Sequence, residues 1–577
     1  MCLLSCASSP PVQPPVSGGT GQGRTQGQAA PPAGAQHIPL PPGVTRLDVP
    51  EIEPSSFFAS IPKETLRAVE IGSPAQLRRA ASSLYKSGGG YSLPESVLLN
   101  VCAEVTRLAW PSSPPIQDKP PVTEKNAYTG ALDSVRLGIY DVSTGNVDFL
   151  TDLLPSLILL TSSTRNDYYA RSEGDLKAAL NLNGDSVLVN YLLGILCKKK
   201  GDGEGAFKYF QEALRLDGTC FEVRLAFASS LYGLGRLSEA EQAAARLLSS
   251  YPDSVQALKL AAEIAFAQKK YPQAGEYVAR VLQQEPENSY YLLFRARILI
   301  LTGEYIKAAS LLDAYSRTDN TSRDYLLLRA QIQSGWNKNT PAAIATVEQA
   351  LSLYPSDSEV ILLAAKLAGA AGRRIAGRTA GDYANLILAK TPDDPAALAI
   401  VVADAVSKRR WMDAYRSSVI IQKQSPSLGD SITHVVICLA LGNNAEARSM
   451  AESLYARDGE NDDVRQVYIK MLVAQGERIR ALGLINTWLS AAKPSMKSFL
   501  YWQRSLLGAD GSEILNDLRL SLTSDPRNSD ALMEMYTYYF THKDYRKAQY
   551  YLKQVVALNP NDEHTLELSA SLEKLLN

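Results

Sequence analysis

Residues 186–222 read SVLVNYLLGILCKKKGDGEGAFKYFQEALRLDGTCFE, and this stretch decides the fold. Apolar residues from Val187 to Ile195 recur at helical spacing, so the first half predicts a helix with one apolar face. A polar break that contains glycines follows it. Ala206 and Phe210 then begin the apolar stripe of a second helix. Two helices in so short a stretch cannot bury their apolar faces alone, so the pattern predicts that pairs of helices stack on one another.

The alanine of the second helix recurs about every 34 residues along the chain. Its positions are Ala206, Ala240, Ala274, Ala308, Ala343, Ala380, Ala414, Ala447, Ala481 and Ala548, with Ile514 in the remaining slot. A proline follows many of these positions by twelve residues, at Pro252, Pro286, Pro355, Pro392, Pro426, Pro526 and Pro560. Such a fixed period is typical of a solenoid of repeated supersecondary units. The sequence therefore predicts an all-α fold and favours binding over catalysis.

Leu193-Gly194 followed by Ala206, Phe210 and Ala213 resembles the tetratricopeptide repeat. The resemblance implies about eleven to twelve helix-turn-helix repeats in residues 151–561, and residues 562–577 read as a terminal capping helix. Small residues are expected where the two helices of a repeat cross most closely. They are Gly194, Ala228, Ala262 and Ala296.

The repeat pattern is uneven toward the C-terminus. Residues 316–322 form an insert between two repeats, and residues 370–379 stretch another. Bulky side chains occupy the expected close-crossing slot in five later repeats, at Val402, Val436, Ile469, Trp502 and Tyr536. The period predicts helices there, but it leaves their register open.

The chain before the repeats changes composition near residue 55. Residues 1–54 are rich in Pro, Gly and Gln, so we expect a disordered tether. Residues 55–150 show helical patterns around a proline-rich break at 111–121, without the period, and predict a separate helical region.

Leu3-Leu4-Ser5-Cys6 resembles the lipobox of bacterial lipoproteins. This resemblance implies lipidation of Cys6 and a place in the bacterial cell envelope, with contact to the membrane only through the lipid. No basic segment and no apolar segment precede Cys6, so a cytosolic assembly or regulatory adaptor is the alternative.

Composition argues against several classes of function. Lys plus Arg number 59 and Asp plus Glu 60, which disfavours nucleic acid as the partner. Six cysteines and four histidines show no metal-ligand spacing, so no metal site and no cofactor are expected. Cys197 and Cys438 read as buried thiols.

The chain shows none of the common catalytic motifs, so we expect that the protein is not an enzyme. The alternative of another class is an enzyme or polymer-modifying factor with a site in 55–150.

The resemblance also implies where other proteins or peptide segments bind, because the first helix of each repeat lines the concave face. The residues predicted to face a partner are Tyr191, Lys198, Tyr232, Lys259, Tyr290, Arg297 and Tyr325. Aromatic rings beside cations favour a protein or peptide partner. The tyrosine-rich cluster at 536–551 is the alternative binding surface.

Overall fold

The computed structural model describes residues 54–117, 119–122, 124–140, 148–163, 165–424, 426–560 and 562–576. Cys6 and almost all of the predicted tether therefore lie outside the described residues. The chain folds into two compact units, Met1–Ser250 and Tyr251–Asn577. Within the described ranges no β-strand occurs, and the elements are helices. The prediction of an all-α fold is confirmed.

The described part of the first unit contains eleven α-helices and two short 3-10 helices, at Leu154–Leu160 and Asn166–Tyr168. The α-helices are α1 (Pro54–Phe57), α2 (Lys63–Ile71), α3 (Pro74–Leu84), α4 (Leu93–Ala109), α5 (Ala127–Arg136), α6 (Phe149–Leu153), α7 (Tyr169–Leu182), α8 (Val187–Lys200), α9 (Gly203–Leu216), α10 (Phe221–Gly233) and α11 (Leu237–Ser250).

The second unit consists of helix pairs followed by one last helix. The helices are α12 (Val255–Ala267), α13 (Tyr271–Gln284), α14 (Ser289–Leu301), α15 (Tyr305–Tyr315), α16 (Arg323–Gly335), α17 (Thr340–Leu353), α18 (Ser358–Ala371), α19 (Ala380–Leu388), α20 (Pro395–Ser407), α21 (Trp411–Gln422), α22 (Leu428–Leu441), α23 (Asn444–Asp458), α24 (Asp462–Ala474), α25 (Arg478–Leu489), α26 (Pro494–Ser505), α27 (Gly511–Ser524), α28 (Ser529–Thr541), α29 (Tyr545–Leu558) and α30 (Glu563–Leu576). The predicted capping helix is thus α30, and it packs on α29 through the buried Leu572.

Small residues lie at the helix crossings, as predicted. A Cβ atom added to Gly194 in α8 would lie only 2.4 Å from the ring of Phe210 in α9. Ala228, Ala262 and Ala296 take the same position in later first helices and are fully buried. Contact at such short range leaves no room for a larger side chain.

The second-helix alanines form the other side of these crossings. All ten are at most 2% exposed except Ala380, which is half-buried. The connection before Ala380 is longer than its counterparts and contains an isolated bridge between Ile375 and Arg378. Ala384, one turn later, is the fully buried alanine of α19.

In most pairs the turn between the two helices contains a residue with left-handed backbone conformation, although the turn between α26 and α27 has none. Gly201 takes it between α8 and α9, with φ of 81°. Lys269 takes it between α12 and α13, with φ of 62°, a conformation that costs a non-glycine residue about 1 kcal/mol or more. The stacking of the pairs imposes this turn even where the residue does not favour it.

The structure settles the register at four of the five bulky slots, whereas in α26 both Tyr501, the eighth residue, and Trp502, the ninth, are only half-buried. Val402, Ile469 and Tyr536 are buried, each as the eighth residue of its helix, which is the position of Gly194 in α8. In α22 the eighth residue is Val435, which is fully buried, whereas Val436 is only half-buried. The insert at 316–322 is the connection between α15 and α16.

The core of the first unit runs across the predicted boundary at residue 150. It joins residues from Phe58 to Val223 in one apolar cluster. Trp110 donates its indole N–H to the carbonyl oxygen of Gly72 at 2.8 Å and packs against Tyr191 at a ring distance of 5.0 Å. The described helices of residues 55–150 therefore share their core with α7–α9.

Gly194→Ala should destabilise the first unit by about 1–3 kcal/mol, because the buried Phe210 ring cannot move away from the added methyl group. Gly174→Ala is the matched control in α7, where an added Cβ meets nothing within 4 Å. This control should stabilise the unit by about 0.5–1 kcal/mol through helix propensity alone. Hydrogen exchange in α8 and α9 measures both effects. Equal effects of the two substitutions would contradict a close crossing at Gly194.

Candidate functional site

Successive first helices contact one another directly in the second unit. The contacts join α14 with α16, α16 with α18, α18 with α20, α22 with α24, and α24 with α26. Side chains about one repeat apart in sequence therefore meet on this side of the unit. We call the surface formed by these helices, together with α12 and α28, the first-helix face.

An aromatic cluster with paired charges lies on this face at α12 and α14. Lys259 Nζ lies 2.7 Å from Glu285 Oε2 and 5.3 Å from the centre of the Tyr291 ring. The Tyr291 hydroxyl donates a hydrogen bond of 3.3 Å to Glu263 Oε1. The ring of Tyr290 contacts Tyr291 edge-to-face at 4.9 Å. The pairing with Lys259 and the hydrogen bond from Asn288 lower the pKa of Glu285, so this carboxylate stays charged.

The inner side of this cluster is apolar. Phe294 lies 4.9 Å from Phe266 and 6.0 Å from Tyr290, measured between ring centres. Tyr291 and Phe294 are buried, whereas Tyr290 is 57% exposed. The edge-to-face contact with Tyr291 and the tilted contact with Phe294 restrict the orientation of the exposed Tyr290 ring.

Ion pairs continue from this cluster along α14, α16 and α18. Arg297 lies 3.8 Å from Asp324, and Arg323 also pairs with Asp324 at 2.7 Å. Arg323 further contacts Asp357 and Glu359, each at 2.7 Å. Exposed pairs of this kind stabilise a fold by about 1 kcal/mol or less each. Their main effect here is to orient the charged groups across three repeats.

The predicted partner-facing residues fall into three groups. Lys259, Tyr290 and Arg297 belong to helices of the first-helix face, and the Tyr291 ring contacts both Lys259 and Tyr290. In the first unit, Lys198 is exposed and donates to Ser229 Oγ at 3.2 Å, and Tyr232 is half-buried. The structure tests no partner, so binding by these residues stays a prediction.

Two predicted positions are corrected. Tyr191 is only 8% exposed and lies between Trp110 and Phe210, at ring distances of 5.0 and 5.9 Å. This burial raises the pKa of its phenol. Tyr325 is also buried and stacks on Tyr315. Both side chains pack in cores because their helices place them toward the neighbouring helix rather than toward solvent.

Sequence reasoning missed Tyr291, Phe294 and Asp324 as members of the first-helix face. Adjacent residues on a helix point about 100° apart, so Tyr290 can be exposed while Tyr291 is buried. In the sequence, the adjacent pair Tyr290–Tyr291 was the signal for this cluster. The packing of α12 against α14 decides which of the two tyrosines is exposed.

The surface also has a cavity in the first unit and a groove in the second. In the first unit a cavity of about 540 Å³ is lined by charged residues of α7–α9, including Glu173, Lys177 and Lys200. Hydrogen bonds from Lys177 and Lys200 lower the pKa of Glu173 to about 2. In the second unit a groove of about 260 Å³ lies between α22 and α24, and Lys470 on its wall also approaches the rings of Phe499 and Trp502.

One group of side chains has the chemistry of a metal site. His434 and Cys438 of α22 and Glu446 of α23 bring one donor atom each to within 4.8 Å of one another. Burial raises the pKa of the Cys438 thiol to about 12. The expectation that Cys438 is buried is met, but the sequence did not indicate its neighbours. Cys438 follows His434 by four positions, about one helical turn, and this spacing was the local signal.

An acidic group lies in the first unit beside the last residues of the 55–150 segment. Burial, and then the charges of Asp175 and Asp148, raise the pKa of Asp152 to about 6. Tyr140 donates a hydrogen bond of 2.7 Å to Asp175. One carboxylate oxygen of Asp152 is buried without a hydrogen-bond partner. Asp152 therefore holds a proton more tightly than an ordinary aspartate.

Comparison with known proteins identifies the repeats. Two models described as tetratricopeptide repeat match residues 225–289 and 265–332. No curated protein matches the chain.

Among solved structures, PilF of Pseudomonas aeruginosa is 21% identical over 34% of this chain and 88% of its own, with a TM-score of 0.30. PilW, described as a widely conserved type IV pilus biogenesis factor, is 20% identical over 37% of this chain and 98% of its own, with a TM-score of 0.33. The Cut9–Hcn1 structure of the APC/C is 13% identical over 90% of this chain and 96% of its own, with a TM-score of 0.38.

Asp152→Asn should raise the melting temperature at neutral pH. The folded-state pKa of about 6 lies above the ordinary value of 3.8, so ionisation of Asp152 lowers stability as the pH rises from about 4 to about 6. The uncharged variant avoids this loss, and its advantage should vanish below about pH 4. Melting curves across this range, with the exposed Asp393→Asn as control, measure the difference. If the difference in melting temperature between Asp152→Asn and the wild type does not change with pH, this would contradict a raised pKa at Asp152.

Proposed function

Because this chain is a tetratricopeptide repeat protein, we propose that it is a non-enzymatic scaffold that binds an extended segment of another protein on its first-helix face. The fold itself supports a protein-interaction scaffold. The observation that supports this particular surface is the exposed Tyr290 ring, which is held against Tyr291 and Phe294 beside Lys259 and its paired carboxylates.

The chemistry of this cluster favours a peptide over other ligands. An exposed aromatic ring with a fixed orientation loses little side-chain entropy when it binds, and tyrosine is enriched among the residues that dominate interface energetics. Lys259 is paired with Glu285, and Arg297 with Asp324. Local charge is therefore balanced, which suits a segment with mixed polar and apolar groups and disfavours a polyanion.

The cellular setting belongs to the same proposal. The motif at Leu3–Cys6, with the Pro/Gly/Gln-rich stretch behind it, supports a lipid anchor at Cys6 that holds the repeats at a bacterial envelope membrane. A cytosolic assembly or regulatory adaptor with the same binding face is the alternative. None of the helices in the described part of the chain is both long and apolar enough to span a membrane.

Replacing Tyr290 with alanine should weaken partner binding without unfolding the protein. Removal of an aromatic anchor at an interface costs about 2 kcal/mol, or roughly 30-fold in affinity. The melting temperature should change little, because the ring is exposed in the free protein. A photo-crosslinking residue at position 290 in the native cell identifies the partner, whose affinity for the purified variants is then measured.

Tyr550→Ala is the matched control for this experiment. Tyr550 is 64% exposed and contacts Tyr551 edge-to-face at 5.1 Å, much as Tyr290 contacts Tyr291, but it lies on the second helix α29. Its replacement should leave affinity unchanged. Equal affinity in the Tyr290 variant and the wild type would move the binding site away from α12–α16, and a loss confined to Tyr550→Ala would favour the cluster at 536–551.

Replacing Cys6 with serine tests the proposed envelope setting. If Cys6 is lipidated, the wild-type protein made in its native cell should enter the detergent phase on phase separation, and Cys6→Ser should stay in the aqueous phase. One buried acyl chain gives this partitioning at about 0.8 kcal/mol per methylene group. Cys2→Ser is the control. Wild-type protein that remains aqueous would contradict the anchor and favour the cytosolic adaptor.

A further inference from the structure

A polar cluster is buried between α21, α22 and α23 of the second unit. The imidazole of His434 is almost fully buried and stacks on Tyr415 with a ring distance of 5.6 Å. Its Nδ1 lies 2.8 Å from Ser418 Oγ, and its Nε2 lies 3.0 Å from Glu446 Oε1. The second carboxylate oxygen of Glu446 accepts a hydrogen bond of 2.8 Å from the Tyr415 hydroxyl. Every polar atom of the imidazole thus has a fixed neighbour.

Hydrogen positions in this cluster follow from its donors and acceptors. Ser418 donates its one hydroxyl hydrogen to the carbonyl oxygen of Tyr415, 2.9 Å away. With that hydrogen in use, Ser418 Oγ is available as an acceptor, which favours the tautomer that carries its proton on His434 Nδ1. In the neutral ring, Nε2 then has only a lone pair, directed at a carboxylate oxygen 3.0 Å away. Two such acceptors repel each other unless a cation lies between them.

The cation between the two acceptors could be a proton or a metal ion, and a third donor atom nearby favours a metal ion. Cys438 Sγ lies one helical turn beyond His434 on α22, and it is within 4.8 Å of the donor atoms of both His434 and Glu446. Imidazole nitrogen, thiolate sulfur and carboxylate oxygen are the three kinds of ligand that Zn²⁺ takes in proteins. Bond lengths of about 2.0–2.3 Å place tetrahedral ligands roughly 3.5 Å apart. The side chain of Glu446 is 40% exposed and can adjust to this spacing.

We propose that His434 Nε2, Cys438 Sγ and a carboxylate oxygen of Glu446 bind one Zn²⁺ ion, with the fourth position open on the exposed side of Glu446. On binding, the Cys438 thiol releases its proton to solvent and the thiolate bonds to the metal. Ser418 orients the imidazole through Nδ1, and Tyr415 holds the other oxygen of the carboxylate. Such outer hydrogen bonds commonly set the affinity of zinc sites.

The ion would join the two helices of one repeat. His434 and Cys438 belong to α22, and Glu446 belongs to the first turn of α23. Zinc would therefore stabilise this repeat against local opening, by an amount that rises with the free zinc concentration. This inference does not depend on which partner binds the first-helix face.

Metal titration of the full-length chain tests the site. The protein is made without a polyhistidine tag, stripped with a chelator, and titrated with Co²⁺ and then Zn²⁺. We expect one ion per chain, a sulfur-to-cobalt charge-transfer absorption that Zn²⁺ abolishes, and a higher melting temperature with Zn²⁺. Ser418→Ala should weaken zinc binding by about 10–100-fold.

The variants separate a metal site from a structural network. Cys438→Ser should lose the charge-transfer band, whereas the control variants Cys220→Ser and Cys2→Ser/Cys6→Ser should keep it. Glu446→Gln changes a partly exposed residue and should fold normally, so it decides the question if Cys438→Ser is unstable. Its zinc affinity should fall by about 100-fold or more, beyond the loss from an outer hydrogen bond.

Three results would overturn the proposal. They are the absence of the charge-transfer band in the wild-type chain, a band that persists in folded Cys438→Ser, and zinc affinity that is unchanged in Glu446→Gln. The first of these, together with lower stability of Glu446→Gln, would assign the cluster to a proton-bridged pair of His434 and Glu446.

Discussion

The close crossing of the two helices within each repeat is the constraint on which the rest of the structure depends. At Gly194 the ring of Phe210 occupies the space that any Cβ would need. Ala240 and Ala274 meet the same constraint from the second helix, where they are fully buried. Two closely crossing helices are joined by a short turn, and in most pairs this turn contains a residue in the left-handed backbone conformation. Lys269 adopts this conformation although it carries a side chain. The small residues recur at a fixed spacing in the sequence because each repeat must form the same close contact between its two helices.

Regular packing leaves the first-helix face free to vary in chemistry. Core positions hold the pairs together, while the outward positions of α12, α14 and α16 carry rings and charges that meet those of the next repeat. The contacts of Lys259 with Tyr291 and of Arg297 with Asp324 both join adjacent first helices. Each contact adds little stability. Together they hold side chains in place before a partner arrives, which reduces the entropy that binding costs.

The polar cluster around His434 departs from the apolar packing of crossings such as that of Gly194 with Phe210. Burying an imidazole and a thiol beside a carboxylate is unfavourable unless each polar atom finds a partner. Ser418, Tyr415 and Glu446 supply those partners. Because contacts in a repeat array are mainly between neighbours, the cost and any gain from a bound ion stay within one or two repeats. A solenoid can therefore carry a local site without a change in its overall fold.

The sequence by itself determined the helices, their pairing, the small residues at the crossings and the capping helix, because these features depend on local spacing that repeats along the chain. It did not determine that residues 55–150 share a core with α7–α9, since Trp110 and Tyr191 are far apart in sequence. It predicted that Tyr191 and Tyr325 face a partner, as it did for Lys259, Tyr290 and Arg297, but Tyr191 and Tyr325 are buried. Successive side chains of a helix point about 100° apart. Only the position of the neighbouring helix decides which of them lie in the core and which on the surface. The convergence of His434, Cys438 and Glu446 likewise required the tertiary structure, because the turn between α22 and α23 brings Glu446 back beside residues of the preceding helix.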